Sequence, residues 1–279
     1  MIEAADFIKE ASEFEYSFYT GVPCSFLTPF INYIIQDDKL NYICAPNEGD
    51  AVALAAGATI GGKRSVAMMQ NSGLGNAVSP LTSLTYIFRI PILIICTHRG
   101  EPGLVDEPQH ELMGQITSSL FDTMRIPWEQ FPQENLSIRP TLSRAEEHFR
   151  KFSTPYALLM KKGTFKQSKI ASKRNLKNAS QHTKVEGRGF HKPPEARPRR
   201  SQILKQITQI CEKYNAVILA TTGFTGRELY KIRDNENQLY MVGSMGCISS
   251  LGLGLALSRP TLPVILLDGD GAALMRLGN

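Results

Sequence analysis

Two short stretches of this sequence carry residue types that could do chemistry together. Near the C-terminus, Leu267-Asp268-Gly269-Asp270-Gly271-Ala272-Ala273-Leu274 takes an apolar strand into a Gly-Asp-Gly turn and the first residues of a helix. Glycines 269 and 271 let the backbone approach a phosphate closely, and Asp270 between them offers a hard oxygen ligand for a Mg²⁺ bridging diphosphate oxygens. Far upstream, Pro46-Asn47-Glu48-Gly49-Asp50 puts a carboxylate at the start of a very apolar helix. One acid suits a metal and the other proton transfer, so the pair implies a diphosphate cofactor. Each also has a plain structural explanation, as a common turn and as an N-cap followed by a first-turn acid.

Further polar groups gather where strands end. Thr221-Thr222-Gly223, Gly243-Ser244-Met245-Gly246 and Gly269-Asp270-Gly271 all lie late in the chain, and open α/β sheets bind ligands beyond the carboxyl ends of their strands. Earlier, Gln70-Asn71-Ser72-Gly73-Leu74-Gly75-Asn76 leaves a strand and opens a helix. Asn71, Ser72, Gly73, Gly75 and Asn76 make it a binding-loop candidate, although it has neither a Walker lysine nor G-x-G-x-x-G. His98-Arg99-Gly100-Glu101-Pro102-Gly103, followed by Asp106-Glu107-Pro108-Gln109-His110, concentrates ionisable groups. His98, Arg99 and His110 suit an anionic substrate or proton transfer, or else a salt-bridged loop closed by Asp106 and Glu107. A zinc site from the two histidines lacks an obvious third ligand.

The elements that position these groups alternate as a parallel α/β sheet requires. Apolar or β-branched runs at 40–45, 65–70, 91–96 and 155–161 read as strands, with helices at 48–61 and 75–88 between them. From 165 to about 200 the periodicity fails and Lys, Ser, Asn and Pro take over, as in an exposed connector. Beyond it come a helix at 201–214, a strand at 216–221, a helix near 227–232, a short strand at 240–242, a small-residue helix at 246–258 and a strand at 263–267. The alternation then stops, so the second domain reads as the N-terminal part of a larger sheet.

Composition narrows the classes. Hydrophobic content of 42% and charged content of 20% describe an ordinary globular protein, without a membrane-length apolar run or a signal peptide, and a cytoplasmic location is expected. Residues 161–200 hold 13 Lys and Arg against 2 acids, so the net +5 reflects a linker at +11 and a remainder at −6. With few aromatics there, nucleic-acid binding is not expected. Five scattered cysteines read as reduced thiols, Cys44 and Cys96 as packing residues and Cys24, in a loop-like Gly-Val-Pro-Cys-Ser, as an exposed one.

These motifs resemble the thiamine-diphosphate-dependent decarboxylases, nearest their phosphonopyruvate branch. The likeness runs through Gly21-Val22-Pro23, Asn47-Glu48-Gly49, 69–76, 99–103, 106–110, 241–246 and 267–278. It implies two thiamine-diphosphate-binding folds with parallel sheets: a pyrimidine-binding domain at 1–165, a basic linker at 166–200, and the N-terminal part of a diphosphate-binding domain at 201–279. The implied reaction is decarboxylation of 3-phosphonopyruvate to phosphonoacetaldehyde and CO₂ in a homodimer or homotetramer with active sites between subunits. Sulfopyruvate is the alternative substrate, and a non-catalytic paralogue pairing with a longer subunit the alternative role.

Residue by residue, the resemblance implies that Glu48 hydrogen-bonds the aminopyrimidine and promotes the tautomer that takes the thiazolium C2 proton. Asp270 would ligate Mg²⁺. Thr222, Gly223, Gly269, Gly271 and Ala272 would surround the diphosphate, with Gly243 and Ser244 beside it and Met245 propping the cofactor in a bent shape. Cys24, His98, Arg99 and His110 would face the anionic keto acid, Cys24 standing where the family commonly has an acid. A downstream Asn that completes the family's metal site falls beyond residue 279, so weak cofactor binding and low activity are expected of the chain by itself.

Overall fold

A computed structural model describes residues 1–167 and 197–278. The expected connector therefore lies mostly outside the described residues. Before it, six strands, β1 (Tyr16–Gly21), β2 (Asn41–Cys44), β3 (Arg64–Gln70), β4 (Leu93–Thr97), β5 (Trp128–Gln130) and β6 (Tyr156–Met160), form one parallel sheet in the order β2-β1-β3-β4-β6-β5. After it, β7 (Val217–Ala220), β8 (Gln238–Tyr240) and β9 (Val264–Leu267) form a second, in the order β8-β7-β9, again parallel.

Period-two alternation in the first sheet builds two apolar layers. Val66, Met68, Leu93 and Ile95 face a core with Phe7, Phe30 and Phe131, whereas Ala67, Met69, Ile94 and Cys96 face the opposite layer. Helices α1 (Ala4–Glu13), α2 (Thr28–Ile34) and α6 (Asn135–Phe152) cover the first face. The other face carries α3 (Glu48–Ile60), α4 (Leu74–Pro80) and α5 (Glu111–Thr123). In the second unit, α7 (Arg200–Tyr214) and α8 (Phe224–Ile232) pack together on one side of the sheet, and α9 (Ile248–Ser258) lies on the other; α10 (Asp270–Met275) follows β9.

Helix α3 is buried almost all round because it is sandwiched between the first sheet and α9. Glycines set that crossing: a Cβ at Gly57 would lie 2.0 Å from the Leu251 carbonyl oxygen, and one at Gly254 2.1 Å from that of Leu54. The apolar layer on the α3 side thus continues without a break into Leu219, Met241, Ile248, Leu251 and Leu255 of the second unit.

Several expectations need correction. The expected helix at 75–88 ends at Pro80 and continues as a π-helical turn over Leu81–Thr85, where Thr82, Ser83 and Thr85 return hydroxyl hydrogen bonds to earlier carbonyls. Cys24 is buried, because β1 lies inside the sheet and delivers it against β3. Cys44 is exposed, because β2 is an edge strand.

Candidate active site

Strand order decides where the loops meet. In the second sheet β7 lies between β8 and β9, so the chain reverses its direction of travel at β7 and β9 and their carboxyl ends flank a crevice. The β7 end supplies Thr221-Thr222-Gly223 and the β9 end supplies Gly269, Asp270 and Gly271, tied by a 2.8 Å hydrogen bond from the Thr221 N–H to the Leu267 carbonyl. The loop after β8 joins them, the Thr222 hydroxyl donating to the Val242 carbonyl at 3.2 Å. Beside them opens a cavity of about 290 Å³ lined by Thr222, Gly223, Arg227, Tyr230, Tyr240 and Val242.

This crevice fits a diphosphate. Gly223 opens α8, whose free N–H groups could receive an anion, and a Cβ there would meet nothing within 4 Å. The Thr221 hydroxyl is buried with no hydrogen-bond partner among the described residues, a polar atom left for something else to satisfy. Asp270 is exposed at the start of α10, one carboxylate oxygen accepting from the Gly271 N–H at 2.8 Å. Among the described residues no group of three or more His, Cys, Asp or Glu could hold a metal. A single carboxylate beside phosphate oxygens is nevertheless how Mg²⁺ commonly binds. Met245 leans on this loop, its Cε 3.1 Å from where a Gly271 Cβ would stand, while Ala272 is buried behind it. Gly243 and Ser244 turn toward the first unit: the Ser244 hydroxyl meets that of Ser83 at 2.7 Å.

The other half of the site sits at the first sheet. Asn47 caps α3, its side-chain oxygen accepting from the Gly49 N–H at 2.8 Å, and Glu48 follows as the first helical residue. The Glu48 carboxylate lies on the backbone of the 71–76 loop: a Cβ at Gly73 would be 2.0 Å from Oε1, and Asn76 Nδ2 donates to Oε2 at 2.9 Å. Asn71 is fully buried, accepting from the Arg99 N–H and donating to the Arg99 carbonyl and the Thr117 hydroxyl, so it fastens that loop to the next. Ser72 and Gly75 are exposed on it.

Cys24, His98, Arg99 and His110 gather at the carboxyl ends of the same sheet. The Cys24 thiol donates to Gln70 Oε1 at 3.2 Å and lies 3.5 Å from the Thr97 hydroxyl. Arg99 forms a bidentate pair with Asp106 and stacks over Phe26 with its guanidinium carbon 4.8 Å from the ring centre. That pair, helped by the Gly100 and Glu107 N–H groups, holds the Asp106 carboxyl well below the usual carboxylate range. Of the salt-bridged loop read from the sequence, the Arg99–Asp106 pair is formed, and Glu107 contributes its backbone N–H to Asp106. His98 Nε2 meets the Gly114 carbonyl at 2.7 Å, and the Nδ1 atoms of His98 and His110 are buried without partners among the described residues.

Sequence reasoning missed Arg276, which joins the two halves. Its guanidinium donates to Asn47 Oδ1 and to Asp50 Oδ2, the latter at 3.3 Å. It lies within the 267–278 stretch, but its partners are 229 and 226 positions away, so no local pattern gives it this role. In this structure, then, one chain brings the Glu48 helix and the Asp270 helix together.

Two parallel α/β units, one presenting a glutamate at the first position of a helix and the other a Gly-Asp-Gly loop at a switch point, make an arrangement suited to an enzyme that uses a diphosphate cofactor. Comparison with known proteins specifies it. Residues 4–120 match the family described as "Thiamine pyrophosphate enzyme, N-terminal TPP binding domain". A phosphonopyruvate decarboxylase of Streptomyces hygroscopicus is 39% identical over 279 residues, all of this chain and 68% of the relative. Another from Streptomyces viridochromogenes is 38% identical over the whole chain and 69% of its own length. The alpha subunit of sulfopyruvate decarboxylase from Methanococcus maripaludis is 38% identical over 112 residues, 40% of this chain and 66% of that subunit. The chain belongs to the thiamine-diphosphate-dependent decarboxylase family typified by the phosphonopyruvate decarboxylases.

Proposed function

We propose that this protein decarboxylates 3-phosphonopyruvate to phosphonoacetaldehyde and CO₂, using thiamine diphosphate and Mg²⁺, as a cytoplasmic enzyme of phosphonate metabolism. The observation that carries the reading is a match to phosphonopyruvate decarboxylase running through both the Glu48 and the Asp270 segments. In this reading residues 1–165 bind the pyrimidine, 166–200 link, and 201–279 bind the diphosphate. The protein works as a homodimer or homotetramer with active sites between subunits. Five free cysteines suit a reducing compartment, and among the described residues no helix is long and apolar enough to cross a membrane.

When bound, thiamine diphosphate supplies the electron sink a 2-keto acid needs to lose CO₂. The chain's own groups do the rest. Thr222, Gly223, Gly269, Gly271 and Ala272, with the N–H groups opening α8, would hold the diphosphate; Asp270 would give its carboxylate to Mg²⁺; Met245, packed on the Gly271 turn, would support the cofactor. Glu48 holds and moves a proton at its carboxylate, oriented by Asn76 and shielded by Gly73. Cys24, His98, Arg99 and His110 frame the substrate at the carboxyl ends of the first sheet.

The discriminating experiment assays the full-length enzyme with phosphonopyruvate and sulfopyruvate, following CO₂ release. We expect kcat/KM at least tenfold higher for phosphonopyruvate; the reverse order assigns the protein to the sulfonate. The match to a sulfopyruvate subunit makes that second reading the one to exclude.

A further inference from the structure

Helix α8 opens without a cap of its own. Its N-cap is Gly223, at φ +98°, where no side chain can accept from the first N–H groups, and no acid stands in the first turn. The Arg227 N–H makes the first helical hydrogen bond, to the Gly223 carbonyl at 3.4 Å, so the N–H groups of Phe224, Thr225 and Gly226 have no helical partner. Thr221, just before the turn, adds an independent observation. Its hydroxyl is 3% exposed and unpartnered among the described residues, and its methyl lies 3.8 Å from where a Gly269 Cβ would stand, between the β7 and β9 turns.

Arg227 brings a positive charge to the same place. Long side chains of a helix lean back toward its N-terminus, and the Arg227 guanidinium carbon lies 5.7 Å from the centre of the Phe224 ring in the opening turn. With Thr222 and Gly223 it lines the cavity of about 290 Å³, where it is the charged group. The other polar groups there are engaged: the Tyr240 hydroxyl donates toward Asp234 and Gln238, and the Thr222 hydroxyl to Val242. Arg200 also reaches Phe224, at 5.9 Å, but is held by Glu228, whereas among the described residues no carboxylate pairs with Arg227. An unpaired cation beside a helix N-terminus opposes the helix dipole unless an anion shares the turn. A diphosphate ester is such an anion, since it carries more charge than one Mg²⁺ offsets, and a guanidinium grips phosphate oxygens through two parallel N–H groups.

We propose that Arg227 is a further diphosphate-binding residue, pairing with phosphate oxygens at the N-terminus of α8 and taking the charge that the metal leaves unbalanced. The proposal rests on the diphosphate reading of this crevice. Every group it uses lies in the second unit, so it holds whichever subunit supplies Glu48.

The test compares Arg227→Gln, Arg227→Lys and Arg200→Gln with wild type in the full-length enzyme. Binding of thiamine diphosphate with Mg²⁺ is measured by calorimetry, and binding of inorganic pyrophosphate with Mg²⁺ by the rise in Tm. Arg227→Gln should raise the Kd for thiamine diphosphate about tenfold or more, the worth of a charge-assisted hydrogen bond, and remove most of the rise given by pyrophosphate. Arg227→Lys, which keeps the charge and loses the fork, should recover part of each loss. Arg200→Gln should stay within about threefold of wild type, because its guanidinium is already engaged by Glu228. The ligand-free Tm of Arg227→Gln should equal or exceed that of wild type, since an unpaired cation has left the helix N-terminus. An unchanged Kd in Arg227→Gln would overturn the proposal, as would an equal loss in Arg200→Gln or weaker binding matched by a lower ligand-free Tm. A wild type that binds neither thiamine diphosphate nor pyrophosphate would overturn the diphosphate reading itself, and the proposal with it.

Discussion

At the scale of single residues, charge in the first unit is arranged to order a loop. Asp106 sits between Arg99 and two backbone N–H groups, which together favour its ionised form. Its folded-state pKa is depressed, so the stability it contributes is present above the unfolded aspartate value of about 4 and is lost as the pH falls below it. Asp106→Asn should therefore lower the urea midpoint at pH 7, and the gap to wild type should narrow progressively as the pH falls below about 4, without closing by pH 3. A gap of equal size at pH 7 and pH 3 would mean that shape, and not charge, holds the loop. Residue types showed this cluster early, because His, Arg and Asp at close spacing advertise chemistry. Arg276 lies in the 267–278 stretch, yet its role stayed hidden, because an arginine after a short helix acquires meaning only from the oxygens it reaches.

At the scale of elements, runs bounded by turn residues were legible and context-dependent ones were not. The strands ending at Gln70, Thr97 and Leu267 and the helix opening at Glu48 follow from periodicity and caps. Strand β1, one of the site's supports, was passed over: Tyr16-Ser17-Phe18-Tyr19-Thr20 is buried on nearly all sides and shows no clean alternation. The π-turn after Pro80 was likewise invisible, since a proline inside an amphipathic pattern marks a break without saying which kind. The α3 and α9 helices looked merely small and apolar, yet their glycines set the distance between the two units. Gly57→Val would drive its side chain into a carbonyl oxygen that has nowhere to move. We expect a loss near the upper end of the overpacking range, about 3 kcal/mol by equilibrium urea unfolding. Gly75→Ala, in open space on α4, should be neutral or stabilising by up to about 1 kcal/mol. Equal effects at the two positions would argue against a glycine-set crossing.

At the scale of the whole molecule, the two units share one apolar layer and several long-range polar ties, Ser83 with Ser244, Asp50 with Ser250 and Arg276 with Asn47. No local pattern encodes such pairings, which is why the sequence could not dock the two units. Docking makes the cofactor a structural element as well as a reagent: the proposed diphosphate contacts lie on loops of the second unit, and the proton-transferring glutamate lies on the first. A ligand that binds the folded state at a hundred times its Kd stabilises by about 2.7 kcal/mol. For a protein of this size that corresponds to a rise in Tm of roughly 5 to 10 °C. We therefore expect thiamine diphosphate with Mg²⁺ to raise the Tm of the full-length protein by that amount in a single transition, and chelation of the metal to remove most of the rise. Asp270→Ala should abolish the metal-dependent part while leaving the cofactor-free Tm within about 2 °C, because the exposed carboxylate supports only its own turn. A full rise in the presence of chelator would remove Asp270 from the metal, and a transition that splits in two on binding would show that the shared layer does not make the units melt together.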